Sequence, residues 1–347
     1  MPDDAWPVRL GLLRLTDAAP VFLAEALGLF AAEGAAVQLS VEPSWANIAD
    51  KLAFGLLDAA MMLPPLALAM EFGLRGPKAP LVVPMGLSLN GNSIVLTRKL
   101  ADAVLEGDER LSPPEAGQRL RHLLRSRPRR PRLAVVHTFS THDLLLRCWL
   151  AASGIDPEQD VELVVVPPVE TAAALASGRI DGFCAGAPWG AVAARSGIGR
   201  TVLLSSAIWP NHPEKCLAAR ADWAARHPAE LQGLLRALLR ASAICGDPVE
   251  AGALAVLLAA RARVGVPAEL IAPSLGSGES ADVDRSLFAA HAATFPSRAH
   301  ARWLTRQMGR WRALPADAAA KAERLYRPDL YAEAARAIGL RELPDPS

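Results

Sequence analysis

Short apolar runs alternate with longer runs of helical spacing over much of the chain. The short runs, rich in Val, Ile and Leu, are typical of buried strands, and the longer runs place their apolar residues on one face of a helix. We therefore predict strands at positions 8–15, 37–41, 58–63, 81–83, 93–97, 133–136, 161–167, 180–185 and 201–205. Because helices separate most of these strands, the pattern predicts parallel sheets covered by helices on both faces. From residue 208 onward the pattern is mainly helical. We expect these C-terminal helices to cover the first of two lobes, the lobe that contains the N-terminal strands.

One polar loop lies between the predicted strand at 133–136 and a predicted helix at 143–152, which ends before Gly154, a natural C-cap. Unpaired backbone N–H groups and the helix dipole make such a helix start favourable for an anion. Hydroxyl side chains at the same place are also the usual N-caps of helices. The loop therefore fits either an anion seat or a simple cap, and its polar residues are His137, Thr138, Ser140, Thr141 and His142.

Hydrogen-bond donors recur where predicted strands end. Trp45 would offer its indole N–H, Asn92 its amide, His142 its ring and Lys215 its ammonium group. Open parallel sheets bind ligands in the crevice beyond the carboxyl ends of their strands. Several donors with one full positive charge suit a small monovalent anion, which is the ligand that this set predicts. Taken singly, the four residues also fit a core tryptophan, a turn former, a loop histidine and a surface charge.

Residues 98–131 differ from their surroundings because they are charged, contain Pro113-Pro114 and end in a run of arginines. Such a run fits a nucleic-acid patch or, more simply, a solvated helix face followed by a linker. We interpret it as the crossing into a second lobe. The predicted domains are a discontinuous first lobe, residues 1–97 plus about 215–347, and a second lobe at about 98–214.

Composition limits the class of protein and its compartment. Apolar residues make up 51% of the 347 residues and charged residues 21%, which predicts a globular fold with two lobes of ordinary size. The net charge of +1 gives no reason to expect direct contact with nucleic acid or a membrane. The four cysteines form no CxxC pair and indicate buried thiols in a reducing compartment. The N-terminal sequence MPDDAWPVRLGLLRL lacks the features of a signal peptide, and no run is long enough for a membrane span, so we expect a cytoplasmic protein.

Motifs for catalysis or cofactor binding do not occur in the sequence. It contains no P-loop, no GxGxxG after a strand, no HExxH and no GxSxG. Ser140, His142 and Asp143 are too close along one helix start to form a nucleophile, base and orienting acid in line. His137 and His142 are not spaced as a helical metal pair. The sequence therefore predicts a binding protein that is not an enzyme and that has no cofactor and no metal site.

Seven blocks of sequence, in order, resemble the nitrate- and bicarbonate-binding proteins of the NrtA/CmpA type. They are LTDAAPVFLAEALGLFAAEG, SWANIADKLAFGLLDAAMML, LNGNSIVLT, STHDLLLRCWLAASGIDPE, IDGFCAGAPWG, IWPNHPEKCL and YRPDLY, and the resemblance extends over residues 8–340. It implies an α/β, two-lobed periplasmic-binding-protein-like fold of type II, with an anion held in the cleft between lobes that close on it. It also implies that Trp45, Asn92, His142 and Lys215 contact the anion, with Trp45 and Asn92 in the first lobe, His142 in the second and Lys215 near the crossover.

Two departures from this family refine the expectation. The sequence has Ala187 before Pro-Trp where the family commonly has Glu, which leaves the identity of the anion open. The second departure is that the N-terminal sequence lacks the features of a signal peptide. A member without such a leader resembles the cytoplasmic nitrate and nitrite sensors of the NasS type, which hold an RNA-binding antiterminator of the ANTAR class (NasT-like) until the anion binds. The alternatives are the substrate-binding component of a nitrate/nitrite or bicarbonate ABC importer, and an enzyme on the same scaffold.

Overall fold

The computed structural model describes residues 7–76, 79–126, 129–276 and 283–340. Its strands are β1 (Val8–Leu12), β2 (Val37–Val41), β3 (Ala59–Met62), β4 (Leu81–Asn90), β5 (Asn92–Thr97), β6 (Arg132–Val135), β7 (Glu162–Val165), β8 (Gly182–Gly186), β9 (Gly199–Leu204), β10 (Pro213–Arg220) and β11 (Ser286–Leu287). Its helices are α1 (Ala19–Ala26), α2 (Leu29–Ala32), α3 (Trp45–Ala53), α4 (Pro64–Phe72), α5 (Arg98–Leu105), α6 (Pro113–Arg125), α7 (Thr141–Ala152), α8 (Thr171–Ala176), α9 (Trp189–Arg195), α10 (Ser205–Ile208), α11 (Ala221–Arg226), α12 (Pro228–Cys245), α13 (Ala251–Ala259), α14 (Ala268–Ile271), α15 (Arg298–Gly309), α16 (Ala318–Leu325) and α17 (Pro328–Ala337). Short 3-10 turns lie at Thr16–Ala18, Pro168–Glu170, Pro248–Glu250, Ala272–Ser274 and Ala290–Ala292.

The strands form two mixed sheets, one in each lobe. The first sheet has the order β11-β4-β10-β3-β1-β2, and the second has the order β7-β6-β8-β5-β9. Strands β1, β2 and β3 are parallel, as are β6, β7 and β8. In contrast, β10 is antiparallel to β3 and β4, and β5 is antiparallel to β8 and β9. The expectation of parallel sheets is therefore correct for β1, β2 and β3 and for β6, β7 and β8, and wrong for β10, β11 and β5, which run antiparallel to their neighbours.

The path of the chain between the lobes explains the antiparallel strands. The carboxyl ends of β1 and β8 meet at the interface, where Thr16 N donates to Ala187 O at 3.0 Å. A strand that enters a lobe from this interface must run away from it, opposite to the parallel strands that end there. β5 enters the second lobe in this way directly after β4, and β10 enters the first lobe after β9 and α10.

The first crossing lies at residues 90–92, so the predicted boundary after Thr97 is too late. β5 is an inner strand of the second sheet, and Asn92, which we expected in the first lobe, therefore belongs to the second. Gly91 has φ +91°, and a Cβ there would lie 2.5 Å from Ser286 Oγ, so a turn this tight requires glycine. The turn at Asn90-Gly91-Asn92 thus marks the connection between the lobes rather than a hairpin within one lobe.

The chain crosses between the lobes a second time between α10 and β10, and a buried acid stabilises this crossing. Asp284 accepts hydrogen bonds from Ser206 N at 2.9 Å, from Ser206 Oγ at 2.7 Å and from the Ser205 hydroxyl. The imidazole of His212 lies on the other side of Ser205, with 2.8 Å between His212 Nε2 and Ser205 Oγ. Polar contacts thus join the start of α10 to the segment that leads into β10.

Helices cover both sheets. In the first lobe α12 packs on α1 and α17, and α15 and α16 pack on α4, so the C-terminal helices lie against the first sheet. In the second lobe α5 packs on β5 and β9, and α6 packs on α7. All four cysteines are buried free thiols, as the sequence predicts.

Among the residues that the structure describes, no single helix has both the length and the apolar composition to cross a membrane. The pair Pro228–Cys245 and Pro248–Ala259, bent by 81°, meets these requirements only when its two helices are taken together.

Candidate functional site

A buried lysine lies at the centre of the interface between the lobes. Lys215 is the third residue of β10, and its side chain is fully buried. Lys215 Nζ lies 2.7 Å from Asp17 Oδ2, in the 3-10 turn after β1, and 2.7 Å from Glu214 Oε1. Lys215 Nζ also lies 5.4 Å from the centre of the Trp45 ring, within the range of a cation–π contact. The first lobe therefore supplies one ammonium group and two carboxyl groups to a small buried volume.

The second lobe reaches this lysine through Glu214. Asn92 Nδ2, at the start of β5, donates to Glu214 Oε2 at 2.7 Å. His142 Nε2, in the first turn of α7, lies 3.4 Å from Glu214 Oε1. We call Asp17, Trp45, Asn92, His142, Glu214 and Lys215 the cleft cluster.

Several buried polar atoms of this cluster lack protein partners. Within the described ranges, the Trp45 indole N–H, both ring nitrogens of His142, Asn92 Oδ1 and Asp17 Oδ1 form no hydrogen bond. The hydroxyl of Thr16, next to Asp17, is also buried without a partner. Buried polar groups in folded proteins are nearly always satisfied, so a group of unpartnered polar atoms in one place, donors among them, indicates a polar ligand.

Burial and charge together set the protonation of the cluster. Burial raises the pKa of Glu214 to about 7, helped by Asp17 and opposed by Lys215 and Asn92. Burial alone would lower the pKa of Lys215, but the two carboxylates outweigh it, so the pKa is raised and the lysine stays charged. Burial, with the charge of Lys215, holds the pKa of His142 well below its usual value, so the ring is neutral.

A second group of charges lies beside the first and also joins the lobes. Asp143 follows His142 in α7. Its carboxylate accepts hydrogen bonds from Arg147 Nε at 3.0 Å and from Arg312 Nη2 at 3.0 Å. Arg312 lies in the first lobe between α15 and α16, and it also donates to Thr138 O. Arg147 pairs in turn with Glu158. We call Asp143, Arg147, Glu158 and Arg312 the latch cluster, because it connects α7 to the other lobe.

A family model described as the NMT1-like family matches residues 3–259. The chain belongs to the NMT1-like family. Its relatives include the nitrate/nitrite binding protein NrtA of Synechococcus elongatus, which is 35% identical over 96% of this chain and 78% of its own length. The membership is therefore of the NrtA/CmpA type that the sequence blocks resemble.

Longer relatives share the same region. The nitrate import ATP-binding protein NrtC of Synechocystis is 36% identical over 96% of this chain, and the bicarbonate transport ATP-binding protein CmpC of Synechococcus elongatus is 37% identical over 97%. The chain spans about half the length of these two relatives, 50% in each case. All three relatives are named as binding or transport proteins.

Solved structures agree with the predicted fold class. The crystal structure of the periplasmic nitrate-binding protein NrtA from Synechocystis matches with a TM-score of 0.87 and 28% identity, over 97% of this chain and 90% of that one. The alkanesulfonate-binding protein SsuA from Xanthomonas axonopodis matches with a TM-score of 0.65 and 15% identity, over 92% and 93% of the two chains. This NMT1-like protein thus has the two-lobed periplasmic-binding-protein fold.

The structure brings all four residues that we proposed from the sequence into one cluster. Trp45 begins α3 and Lys215 lies in β10, both in the first lobe, while Asn92 and His142 come from the second. Trp45 is wholly buried, as a core residue would be, but its N–H is one of the orphaned donors. Lys215 differs from our expectation, because its charge is already paired with two carboxylates.

The helix start at α7 serves mainly as a cap in this NMT1-like protein. Ser140 Oγ accepts from Asp143 N at 3.0 Å, and Thr141 Oγ1 donates to Pro213 O of the first lobe at 3.2 Å. His137 Nδ1 accepts from Phe139 N at 2.9 Å, and burial lowers the pKa of His137 to about 4. Of the polar residues in this loop, only His142 contributes its side chain to the cleft cluster.

Sequence reasoning missed both acids of the cluster. Asp17 lies in the 3-10 turn after β1, whose start has no side-chain cap, and its carboxyl group pairs with Lys215. Glu214 precedes Lys215 in a segment that we did not predict as a strand. β10 lies between β3 and β4, and adjacent charges inside such an apolar strand were the signal that could have revealed a buried pair.

Proposed function

We propose that this protein binds nitrate or nitrite in the cleft cluster and does so without catalysing a reaction. The observation that carries the proposal is the set of orphaned buried donors, which includes the Trp45 indole, the His142 ring and the Thr16 hydroxyl. Groups that donate but are not themselves bonded favour an acceptor of several hydrogen bonds. A small planar oxyanion offers acceptor oxygens in several directions, and the names of the NrtA relatives support nitrate as that anion.

Binding of an anion at such a site favours closure of the lobes. Both lobes contribute to the cleft cluster, so an anion that contacts both stabilises the closed arrangement over an open one. We further propose that the protein acts as a cytoplasmic nitrate and nitrite sensor, whose closure releases an ANTAR-type antiterminator (NasT-like). The partner would contact the RNA, which agrees with the net charge of +1 on this chain.

A second function is supported by the names of the longer relatives. NrtC and CmpC are import and transport ATP-binding proteins, and the chain matches half of each. A role as the anion-binding part of a nitrate/nitrite or bicarbonate importer therefore remains the alternative. The two functions share the site and differ in the partner.

The ligand is tested by calorimetric titration with nitrate, nitrite and bicarbonate, each with and without calcium. We expect nitrate or nitrite to bind in the micromolar range, which is about −8 kcal/mol. Replacement of Trp45 by Phe keeps an aromatic side chain but removes the N–H together with part of the indole ring. We expect the lost N–H to lower nitrate affinity by about 1.5–3 kcal/mol, the usual worth of a hydrogen bond to a charged group.

Trp149 provides a matched control for this variant. Its indole N–H is also buried, but it donates to Pro113 O at 2.8 Å inside the second lobe. Trp149→Phe should therefore cost stability and leave nitrate affinity unchanged. If no anion binds more tightly than millimolar, the proposed function is wrong.

The partner is tested by co-purification. A sensor should retain an ANTAR-type antiterminator in nitrate-free buffer and release it when nitrate is added. An importer component should instead associate with permease and ATPase subunits, and should show no nitrate-dependent binding to the antiterminator.

A further inference from the structure

The charge of the cleft cluster is unfavourable for an anion. One ammonium, that of Lys215, faces the carboxyl groups of Asp17 and Glu214, and the neutral His142 adds no charge. With both acids ionised the cluster already has a net negative charge, and a monovalent anion would add a second. All of these side chains are buried, so water cannot screen the repulsion.

A compensating positive charge must therefore arrive with the anion. A proton is the compensating charge that the geometry can hold, because an acid and a base are already in contact. Glu214 Oε1 and His142 Nε2 lie 3.4 Å apart, both inside the closed interface, and neither ring nitrogen has another partner among the described residues. A proton placed between them removes one negative charge, whichever atom it is bound to.

We propose that nitrate enters the cleft cluster together with one proton, which is held between Glu214 and His142. This inference rests on the proposed function and adds a regulation to it, namely that affinity depends on pH. The anion supplies the negative charge that stabilises the added proton, and the proton removes the repulsion that the anion would meet.

The surroundings of Glu214 favour this carboxyl as the place of the proton. Burial raises its pKa to about 7, whereas burial keeps the pKa of His142 low. The titratable groups that face Glu214 are Lys215 in the same strand, Asp17 after β1, His142 in α7, His212 before β10 and Cys184 in β8. Only Lys215 among them is positively charged near neutral pH, since burial also lowers the pKa of His212 to about 3 and raises that of Cys184.

The direction of the pH effect follows from linkage. Below about pH 7 Glu214 is already protonated in the free protein, so nitrate binding takes up few protons and its affinity is nearly flat. Above that pH the carboxyl is ionised in the free protein and must be protonated on binding. Nitrate affinity should therefore fall by up to about tenfold for each pH unit above neutrality.

The experiment is calorimetric titration of the whole protein with nitrate at pH 6.0, 7.0, 8.0 and 8.5, in three buffers that differ in ionisation enthalpy. The slope of the observed enthalpy against the ionisation enthalpy counts the protons taken up. We expect a slope near zero at the lowest pH, rising toward about one proton at the highest. This measurement needs no variant, so it stands even if a substituted protein fails to fold.

Three variants locate the proton. In Glu214→Gln, proton uptake should disappear, and nitrate affinity at pH 8.5 should exceed that of the unchanged protein by about thirtyfold. In Asp17→Asn, uptake should persist at the highest pH, because Glu214 remains. Glu42→Gln is the matched control: Glu42 is a buried acid of the same lobe that pairs with Lys51 outside the cluster, and its loss should leave the pH profile unchanged.

Several results would overturn the inference while leaving the proposed function intact. The first is a nitrate affinity that is independent of pH, with an observed enthalpy that is the same in all three buffers. The second is proton uptake that Asp17→Asn rather than Glu214→Gln abolishes. The third is nitrate binding that requires calcium and takes up no proton. Absence of nitrate binding at every pH would instead contradict the proposed function itself.

Discussion

His142 and Asp143 are neighbours in the first turn of α7, yet they belong to two clusters with different character. Asp143, in the latch cluster, has both carboxylate oxygens bonded to Arg147, and Arg312 from the other lobe is a second partner. His142, in the cleft cluster, has no hydrogen-bond partner within the described residues. Both side chains are buried to the same extent, about 1% exposed.

Buried charge alone therefore does not indicate a binding site. The latch cluster has more charged groups than the cleft cluster, four against three, but Asp143, at its centre, is already satisfied by two arginines. The cleft cluster combines paired charges with donors that have no partner, and only unpartnered donors can bind a ligand without breaking an existing contact. We therefore propose that the latch cluster stabilises closure and that the cleft cluster binds the ligand.

Replacement of Lys215 by Met should have the largest effect. Methionine fills a similar volume but leaves Asp17 and Glu214 buried without their cation, which should lower the free energy of unfolding by about 3–5 kcal/mol. Nitrate affinity should fall by about 1.5–3 kcal/mol in addition. Urea unfolding and calorimetry measure the two effects separately.

Arg147→Met gives the comparison in the latch cluster. Asp143 would keep Arg312 as a partner, so its destabilisation should be smaller than that of Lys215→Met. The double variant Lys215→Met/Glu214→Gln should regain part of the lost stability, because it removes one unpaired charge. Equal losses for Lys215→Met and Arg147→Met would refute the distinction between the clusters.

Arg312→Gln should have an intermediate effect and tests whether the latch cluster governs closure. The substitution removes the contacts with Asp143 and with Thr138 O, and Arg312 touches no residue of the cleft cluster in the contacts described. Because its side chain is 24% exposed, we expect only about 1 kcal/mol of destabilisation. Nitrate affinity should nevertheless fall severalfold, since the open state becomes more populated.

Small-angle scattering checks the cause of that loss. Nitrate-free Arg312→Gln should have a larger radius of gyration than the unchanged protein, and saturating nitrate should abolish the difference. The control is Arg302→Gln, which removes an exposed ion pair with Glu323 inside the first lobe. A loss of affinity without any change in scattering would mean that Arg312 acts on the site directly.

The sequence was sufficient to predict the parallel strands of each lobe, because these depend on local patterns, whereas the anion-binding role of the four donor residues stays a prediction. Strand β2 lies where the apolar periodicity placed it. The antiparallel strand β10 was missed because its first residues, Pro213, Glu214 and Lys215, resemble a polar loop. The charge of Lys215 pairs with Asp17, almost two hundred positions earlier, and no local pattern contains that pairing.

The local sequence also could not predict that Asn92 belongs to the second lobe. Asn92 ends the turn signal Asn90-Gly91-Asn92, and a turn within one lobe is the simplest interpretation of such a signal. Only the hydrogen bonds of β5 with β8 and β9 reveal that the chain has crossed. Arg127, in the run of arginines that we interpreted as part of the crossing, lies outside the described residues.

Ser140→Ala should have the smallest effect, and it tests whether the start of α7 is shared by the two clusters. Ser140 caps the helix through Asp143 N, so its loss should cost about 1 kcal/mol of stability. Ser112→Ala is the matched control, since Ser112 caps α6 in an exposed capping box of the same lobe. Both variants should lose similar stability, but only Ser140→Ala should also weaken nitrate binding, by a few-fold, because His142 and Asp143 depend on the same first turn. If Ser140→Ala leaves nitrate affinity unchanged, the two clusters are positioned independently and the cap has a structural role alone.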